Sequence, residues 1–136
     1  MNNRFFVLLV HDHSDALESL KLALKDLSVE TYSVQTVAET KRLLPQTQPH
    51  LVFTDTSLPD GSWADVIKLA EKASTPVNVI VVSANKDAKL YISALERGAF
   101  DFVLPPFEHD ALDYVVHSAG EDVSHRRRAL LRAAAD

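Results

Sequence analysis

Cysteine is missing from all 136 residues. Disulfides and thiolate metal sites are therefore excluded, and the composition fits a reducing compartment. Long hydrophobic runs are missing too. The run Phe5–Val10 is far too short to span a bilayer. The apolar run after Met1-Asn2-Asn3-Arg4 has the length of a strand and does not read as a signal peptide. A cytoplasmic protein without a membrane anchor is the expectation. Basic charge is not in excess: 14 Lys and Arg stand against 19 Asp and Glu, a net charge of −5. Nothing there suggests a nucleic-acid surface, apart from a small basic run near the end. Internal repeats, low-complexity segments and a linker before about residue 120 are also absent. What is present is 46% hydrophobic and 24% charged, a folded chain the size of one ordinary domain.

Apolar runs of strand length alternate with helical patterns. Phe5–Val10 reads as a strand buried on both faces and ends at His11-Asp12-His13. Ser14 or Asp15 then caps a helix with Ala16, Leu17, Leu20, Ala23, Leu24 and Leu27 on its apolar side. Residues 32–37 alternate as a second strand. Thr36 and Glu39 have capping-box spacing, and a short helix after them is expected to stop near Pro45, with 46–50 as a polar turn. Leu51–Asp55 is the third strand, followed by a helix from about Ser62 that carries Trp63, Val66, Ile67, Ala70 and Ala73. Residues 77–82 form the fourth strand. Asn85 is the expected cap of the next helix, and Gly98 its terminator. Residues 100–104 make a fifth, and a last helix starts near Glu108. Five strand–helix units predict an α/β domain: a five-stranded parallel sheet, doubly wound, with helices on both faces.

In such a sheet every strand's C-terminal end points to one side, where open α/β sheets place their ligands. The first strand brings His11 and Asp12 there, the third Asp55, the fourth Ser83 and the fifth Phe102, just before Pro105-Pro106. Two carboxylates and a hydroxyl suit a hard, oxygen-loving cation such as Mg²⁺, which in turn neutralises phosphoryl oxygens. His11 and His13 straddle Asp12 and invite a zinc reading, but two strand-end histidines two residues apart point in opposite directions.

At this point the chain resembles the receiver domain of two-component response regulators, over residues ~4–118. The most specific piece is Asp55-Thr56-Ser57-Leu58-Pro59-Asp60-Gly61. Gly98-Ala99-Phe100-Asp101-Phe102 is similar to the family's run before the fifth strand. The resemblance implies a flavodoxin-like fold of strand order 2-1-3-4-5. It implies Asp55 as acceptor of a phosphoryl group from a partner histidine kinase or phosphotransfer protein. Asp12, Asp55 and the Ser57 backbone carbonyl would bind Mg²⁺, with Ser83 and Phe102 as the switch pair and His11, Asn85 and Pro105 flanking the site. It also implies a cis bond between Pro105 and Pro106. A signalling module is expected, not an enzyme.

Two residues depart from the family. His11 replaces its first acid, and Pro105 replaces its phosphoryl-binding Lys, so that position has neither charge nor backbone N–H. His11 could partly compensate as a cation, though it is a poor Mg²⁺ ligand, and Lys86 or Lys89 could lean in. The alternative is a pseudo-receiver, the same fold used as a phosphorylation-independent interaction or dimerisation module. Two enzyme classes fit less well. Haloacid-dehalogenase-type phosphatases want a second Asp where Ser57 stands, and His11-Asp12-His13-Ser14-Asp15 is too acidic for a flavin phosphate loop.

The last helical pattern runs from about 108 to 134. Leu112, Val116, Ala119, Val123, Arg126 and Leu130 fall at heptad-like steps, with Arg126 as a flaw and Gly120 as a weak point. We divide the chain into a receiver domain, 1–120, and a helical extension, 121–136, that links to a partner or to an output domain. A homodimer through the last helix, or through the face of the fourth and fifth helices, is expected. The arginines Arg126, Arg127, Arg128 and Arg132 read as a solvated face and not as a nucleic-acid contact.

Overall fold

A computed structural model describes residues 4–135. Residues 1–3, at the N-terminal stretch considered as a signal peptide, and Asp136 of the extension lie outside the described residues. The order of elements is β1 (Phe5–Val10), α1 (Asp15–Leu24), β2 (Val29–Val34), α2 (Val37–Thr47), β3 (Leu51–Asp55), β4 (Ser57–Leu58), β5 (Gly61–Ser62), α3 (Trp63–Glu71), β6 (Asn78–Val82), α4 (Ala88–Glu96), β7 (Asp101–Val103) and α5 (His109–Ala135). Strands β2-β1-β3-β6-β7 form one parallel sheet, order 2-1-3-4-5 when the five main strands are counted. Strands β4 and β5 form a small antiparallel ribbon beside it.

Side chains alternate across a strand, so β1 feeds two cores. Phe5, Val7 and Leu9 pack with Leu17 and Leu20 of α1 and Leu112 and Val116 of α5. Leu8 and Val10 pack with Leu44 of α2, Val66 and Ile67 of α3 and Ala94 of α4. Each fully buried aliphatic side chain contributes about 1.5–3 kcal/mol, which is why the central strands are mostly apolar, with Thr54 and Asn78 the buried polar exceptions.

Several boundaries differ from the sequence reading. The second strand is Val29–Val34 and not 32–37. Its ladder ends where His11 N–H donates to the Val34 carbonyl, because Thr36 must leave the sheet to cap α2. Helix α2 does not stop at Pro45. Proline costs the exposed Lys41 carbonyl one partner, which water can supply, and the helix ends three residues later at Gln48, φ 46°. Asn85 does not cap α4; Asp87 does, its carboxylate accepting the Leu90 N–H at 3.0 Å. Ser14, Ser62 and Gly98 take the expected terminal places, Gly98 at φ 107°. The Pro105–Pro106 bond is cis.

The heptad-like seam of α5 is spent inside the domain. Leu112, Val116, Ala119 and Val123 are buried against the sheet, and Leu130 is 52% exposed. Gly120 is a close approach: a Cβ there would lie 2.5 Å from ring carbons of Phe5. That ring is buried and flanked edge-on by His50 at 5.3 Å and His117 at 6.0 Å. Helix propensity favours Gly120→Ala by about 1 kcal/mol, whereas overpacking a confined ring costs about 1–3 kcal/mol. We expect the packing cost to win, and urea unfolding of Gly120→Ala should show lower stability than wild type. A gain in stability would mean that the Phe5 ring has room to move.

Candidate functional site

The strand order reverses direction between β1 and β3, and the crevice outside their C-terminal ends is where such sheets bind ligands. Val10 and Thr54 are register partners, so Asp12 and Asp55 leave the sheet at one edge from strands about 4.8 Å apart. Asp55 is partly exposed at the end of a strand whose other four residues are buried. Its Oδ1 accepts the Thr56 N–H at 2.8 Å. One carboxylate oxygen is thus held by the backbone, which fixes the side chain and leaves Oδ2 for chemistry. Thr54, beneath it, is buried and donates its hydroxyl to the Asp55 carbonyl at 3.0 Å.

The turn after Asp55 is built by the ribbon. Ser57 pairs with Ser62 and Leu58 with Gly61, which leaves Pro59-Asp60 as a two-residue loop. The Trp63 N–H reaches back to the Thr56 carbonyl at 3.3 Å, and Ser62 and Asp65 close a capping box on α3. The Ser57 carbonyl is therefore carried on a braced turn and not on a loose loop.

His11 is not the cation that the sequence reading allowed. It is 5% exposed, and its Nδ1 accepts the Ser14 N–H at 3.2 Å. That bond requires an unprotonated Nδ1, with the ring proton on Nε2, 3.9 Å from Glu18. Burial pulls its pKa below the ordinary histidine value, more than Glu18 and Asp55 raise it. His11 is a neutral ring that pins the start of α1. His13, at φ 55°, stands in solvent with Nε2 3.7 Å from Asp12.

On the other side of Asp55, Ser83 is buried and its hydroxyl donates to the Asn85 carbonyl at 2.7 Å while accepting the Asn85 N–H at 3.3 Å. Asn85 thus meets the site through its backbone. Phe102 is 8% exposed and packs edge-on against Tyr91 at 5.6 Å. Pro105 lies two residues past β7. Lys86 and Lys89 are exposed, and among the described residues no lysine or arginine forms an ion pair with Asp12 or Asp55.

Two contacts made prominent by the fold have no signal in the sequence. Asp60 accepts the N–H groups of Val37 and Ala38 at the start of α2. Arg127 donates to the carbonyls of Gln48, Pro49 and Pro76. Neither has a local signal, because the partners lie 22 to 79 residues away.

A doubly wound parallel sheet with a strand-end carboxylate at its switch point defines the class of protein. The response regulator receiver domain model matches residues 7–117, and the chain belongs to that family. It is 32% identical over 112 residues to response regulator protein PilR of Pseudomonas aeruginosa, covering 82% of this chain and 25% of that protein. It is 31% identical to the DNA-binding transcriptional regulator NtrC of Azospirillum brasilense, covering 82% and 24%. The crystal structure of NtrX from Brucella abortus superposes with a TM-score of 0.77 at 26% identity, covering 93% of this chain and 29% of that one. The chain spans about a quarter of the length of these curated relatives. Family members are signalling modules. No helix among the described residues is long and apolar enough to cross a membrane.

Receiver domains generally bind Mg²⁺ at this edge. The candidate donors, the Asp12 and Asp55 carboxylates and the Ser57 carbonyl, are all hard oxygens, and Mg²⁺ usually keeps several waters besides one or two carboxylates. In donor chemistry the three fit such an ion. His11 adds nothing to it, since its Nδ1 is taken by Ser14.

Proposed function

We propose that Asp55 accepts a phosphoryl group from a partner histidine kinase or phosphotransfer protein, and that the acyl phosphate changes which partner the domain binds. The observation that carries this reading is the half-tethered carboxylate. Thr56 N–H holds Oδ1, and Oδ2 stays at a solvent-reachable strand end. Oδ2 attacks phosphorus as the P–N bond of the phosphohistidine breaks, and the imidazole departs with that electron pair. Asp12, Asp55 and the Ser57 carbonyl would hold Mg²⁺, which when bound offsets the charge on the phosphoryl oxygens.

A phosphoryl oxygen is a stronger hydrogen-bond acceptor than the Asn85 carbonyl that Ser83 now uses. The Ser83 hydroxyl would turn toward it, and Phe102 and Tyr91, packed edge to face, would shift with that loop. The surface of α4, β7 and α5 would carry the change to a partner, which includes a second copy of this chain. We read 1–120 as the receiver unit and 121–136 as the connection to a partner or to an output domain.

The test is intact-protein mass spectrometry after acetyl phosphate or a kinase plus Mg²⁺. Wild type should gain one phosphoryl group and Asp55→Asn none. No label from any donor would remove this mechanism. A second reading, the pseudo-receiver, is favoured by Pro105, which cannot pair with a phosphoryl group. If Asp55→Ala leaves partner binding and oligomeric state unchanged, that second reading holds.

A further inference from the structure

The ribbon that carries Ser57 is held from one direction by α3, through the Trp63 N–H and the Ser62–Asp65 box. On the side of α2, Leu58 is buried with Leu44 and Val66, and one polar side chain, Asp60, ties the ribbon to the helix backbone. Asp60, at the tip of the two-residue loop, accepts the Val37 N–H on Oδ1 at 2.8 Å and the Ala38 N–H on Oδ2 at 3.0 Å. These are the first two amides of α2, which no residue inside that helix can satisfy. The third amide, of Glu39, is taken by Thr36 Oγ1 at 3.0 Å. Helix α2 therefore has a local cap and a distant one, and the distant one comes from the loop that follows Asp55. Contact is close on both sides: a Cβ at Gly61 would meet Val37 Cγ2 at 3.0 Å and Asp65 Oδ2 at 2.5 Å. The two N–H groups hold the Asp60 carboxyl below the usual carboxylate range, as expected for an anion at a helix N-terminus.

We propose that Asp60 is a positioning residue, whose carboxylate clamps the ribbon to α2 and so fixes where the Ser57 carbonyl stands relative to Asp55. This rests on the reading of Asp55 as phosphoacceptor, but the clamp itself is a property of the resting domain. Asp60 lies outside the reacting group and acts through the turn.

Amide hydrogen exchange separates the clamp from an ordinary helix cap. In Asp60→Ala, exchange should speed up roughly tenfold at Val37 and Ala38 and also across the ribbon, residues 56–62. Asp60→Asn keeps one acceptor oxygen and should fall between Ala and wild type. Thr36→Ala uncaps the same helix without touching the ribbon, and should speed exchange in α2 only. Phosphorylation by acetyl phosphate gives the functional readout. Asp60→Ala should need several-fold more Mg²⁺ for half-maximal rate, with a nearly unchanged rate at saturation.

Exchange confined to Val37 and Ala38 in Asp60→Ala would overturn the proposal and leave Asp60 a helix cap. A ribbon disturbed equally by Thr36→Ala would also overturn it, since order in α2 and not the carboxylate would then be the link. If wild type takes no label at all, that result counts against Asp55 alone, and ribbon exchange still decides the role of Asp60.

Discussion

Pro105→Lys should raise the rate at which Asp55 takes up a phosphoryl group by roughly ten- to a hundredfold. The register places the new charge. Asp55 pairs with Val82 on β6, and Val82 pairs with Val103 on β7. Position 105 is two residues beyond, at the same edge, about 10 Å across two strand spacings. The Ser83 N–H donates to the Val103 carbonyl at 3.0 Å, so β7 leaves the sheet beside the loop that carries the Ser83 hydroxyl. A lysine stem from this point can lay its ammonium against a phosphoryl group on Asp55. Charge-assisted hydrogen bonds of that kind are worth about 1.5–3 kcal/mol, which sets the size of the expected gain. Among the described residues no Lys or Arg pairs with Asp55, His11 is neutral and bonded to Ser14, and Lys86 and Lys89 are in solvent. Initial rates of acyl-phosphate formation with acetyl phosphate and Mg²⁺ measure the effect. Equal rates for wild type and Pro105→Lys would show that the missing cation is not what limits the reaction, and would move weight to the loss of the first acid at His11.

The parts of this fold that could be read in the sequence are those in which one segment carries its own signal. Strands β1, β3 and β6 are apolar on both faces because both faces are covered, and they stood out as continuous runs. The edge strand β2 did not, since Tyr32 faces solvent and only Val29 and Val34 are buried. Its alternation therefore gave no unique start. Local caps such as Ser14, Thr36 and Ser62 were legible, because a cap and its amide lie two or three residues apart. Asn85 was a plausible cap that lost to Asp87, which is nearer the helix start.

In the candidate site, strand ends alone put Asp12, Asp55 and Ser83 at one edge, while Pro105 entered through the family resemblance. The state of His11 could not be read in either way. Its neutrality comes from burial and from an amide three residues on, and a string of letters does not show which side chain is buried. What the α5 seam covers was not legible for a related reason: its upper part, Leu112 to Val123, faces the sheet of its own domain. An apolar stripe looks the same whether it faces a partner chain or its own sheet.

Arg127→Ala should cost about 2–3 kcal/mol of stability and free the distal part of α5. Sequence alone made Arg127 one of several solvated arginines, but the fold makes it a clasp. Its Nε donates to the Pro76 carbonyl at 3.1 Å, and one terminal nitrogen reaches the carbonyls of Pro76, Pro49 and Gln48 at 2.9, 2.8 and 3.1 Å. Those carbonyls belong to the turns that enter β3 and β6, at the end of the sheet opposite the Asp55 site. Burial, and to a smaller degree the neighbouring Arg126, lower the Arg127 pKa from its ordinary value, the mark of a guanidinium drawn out of water. Arg126 makes a separate net, donating to Asp122 and to the Asn78 side chain, which itself donates to the Ala119 carbonyl. The two arginines extend the grip of the domain past Val123, the last buried apolar residue of α5.

A lysine at 127 offers a compact ammonium in place of a planar fork, so Arg127→Lys should recover only part of the loss. Arg128 is exposed, and Arg128→Ala should change stability by no more than about 0.5 kcal/mol. Urea unfolding of the three variants ranks them, and amide exchange along residues 121–135 shows whether the helix end has come away. If Arg127→Ala proves as stable as Arg128→Ala, the clasp is incidental, and the helix is held by its buried apolar face and the Arg126 net. If the ranking holds, Arg127 is what ties the end of α5 to the turns that lead into β3 and β6.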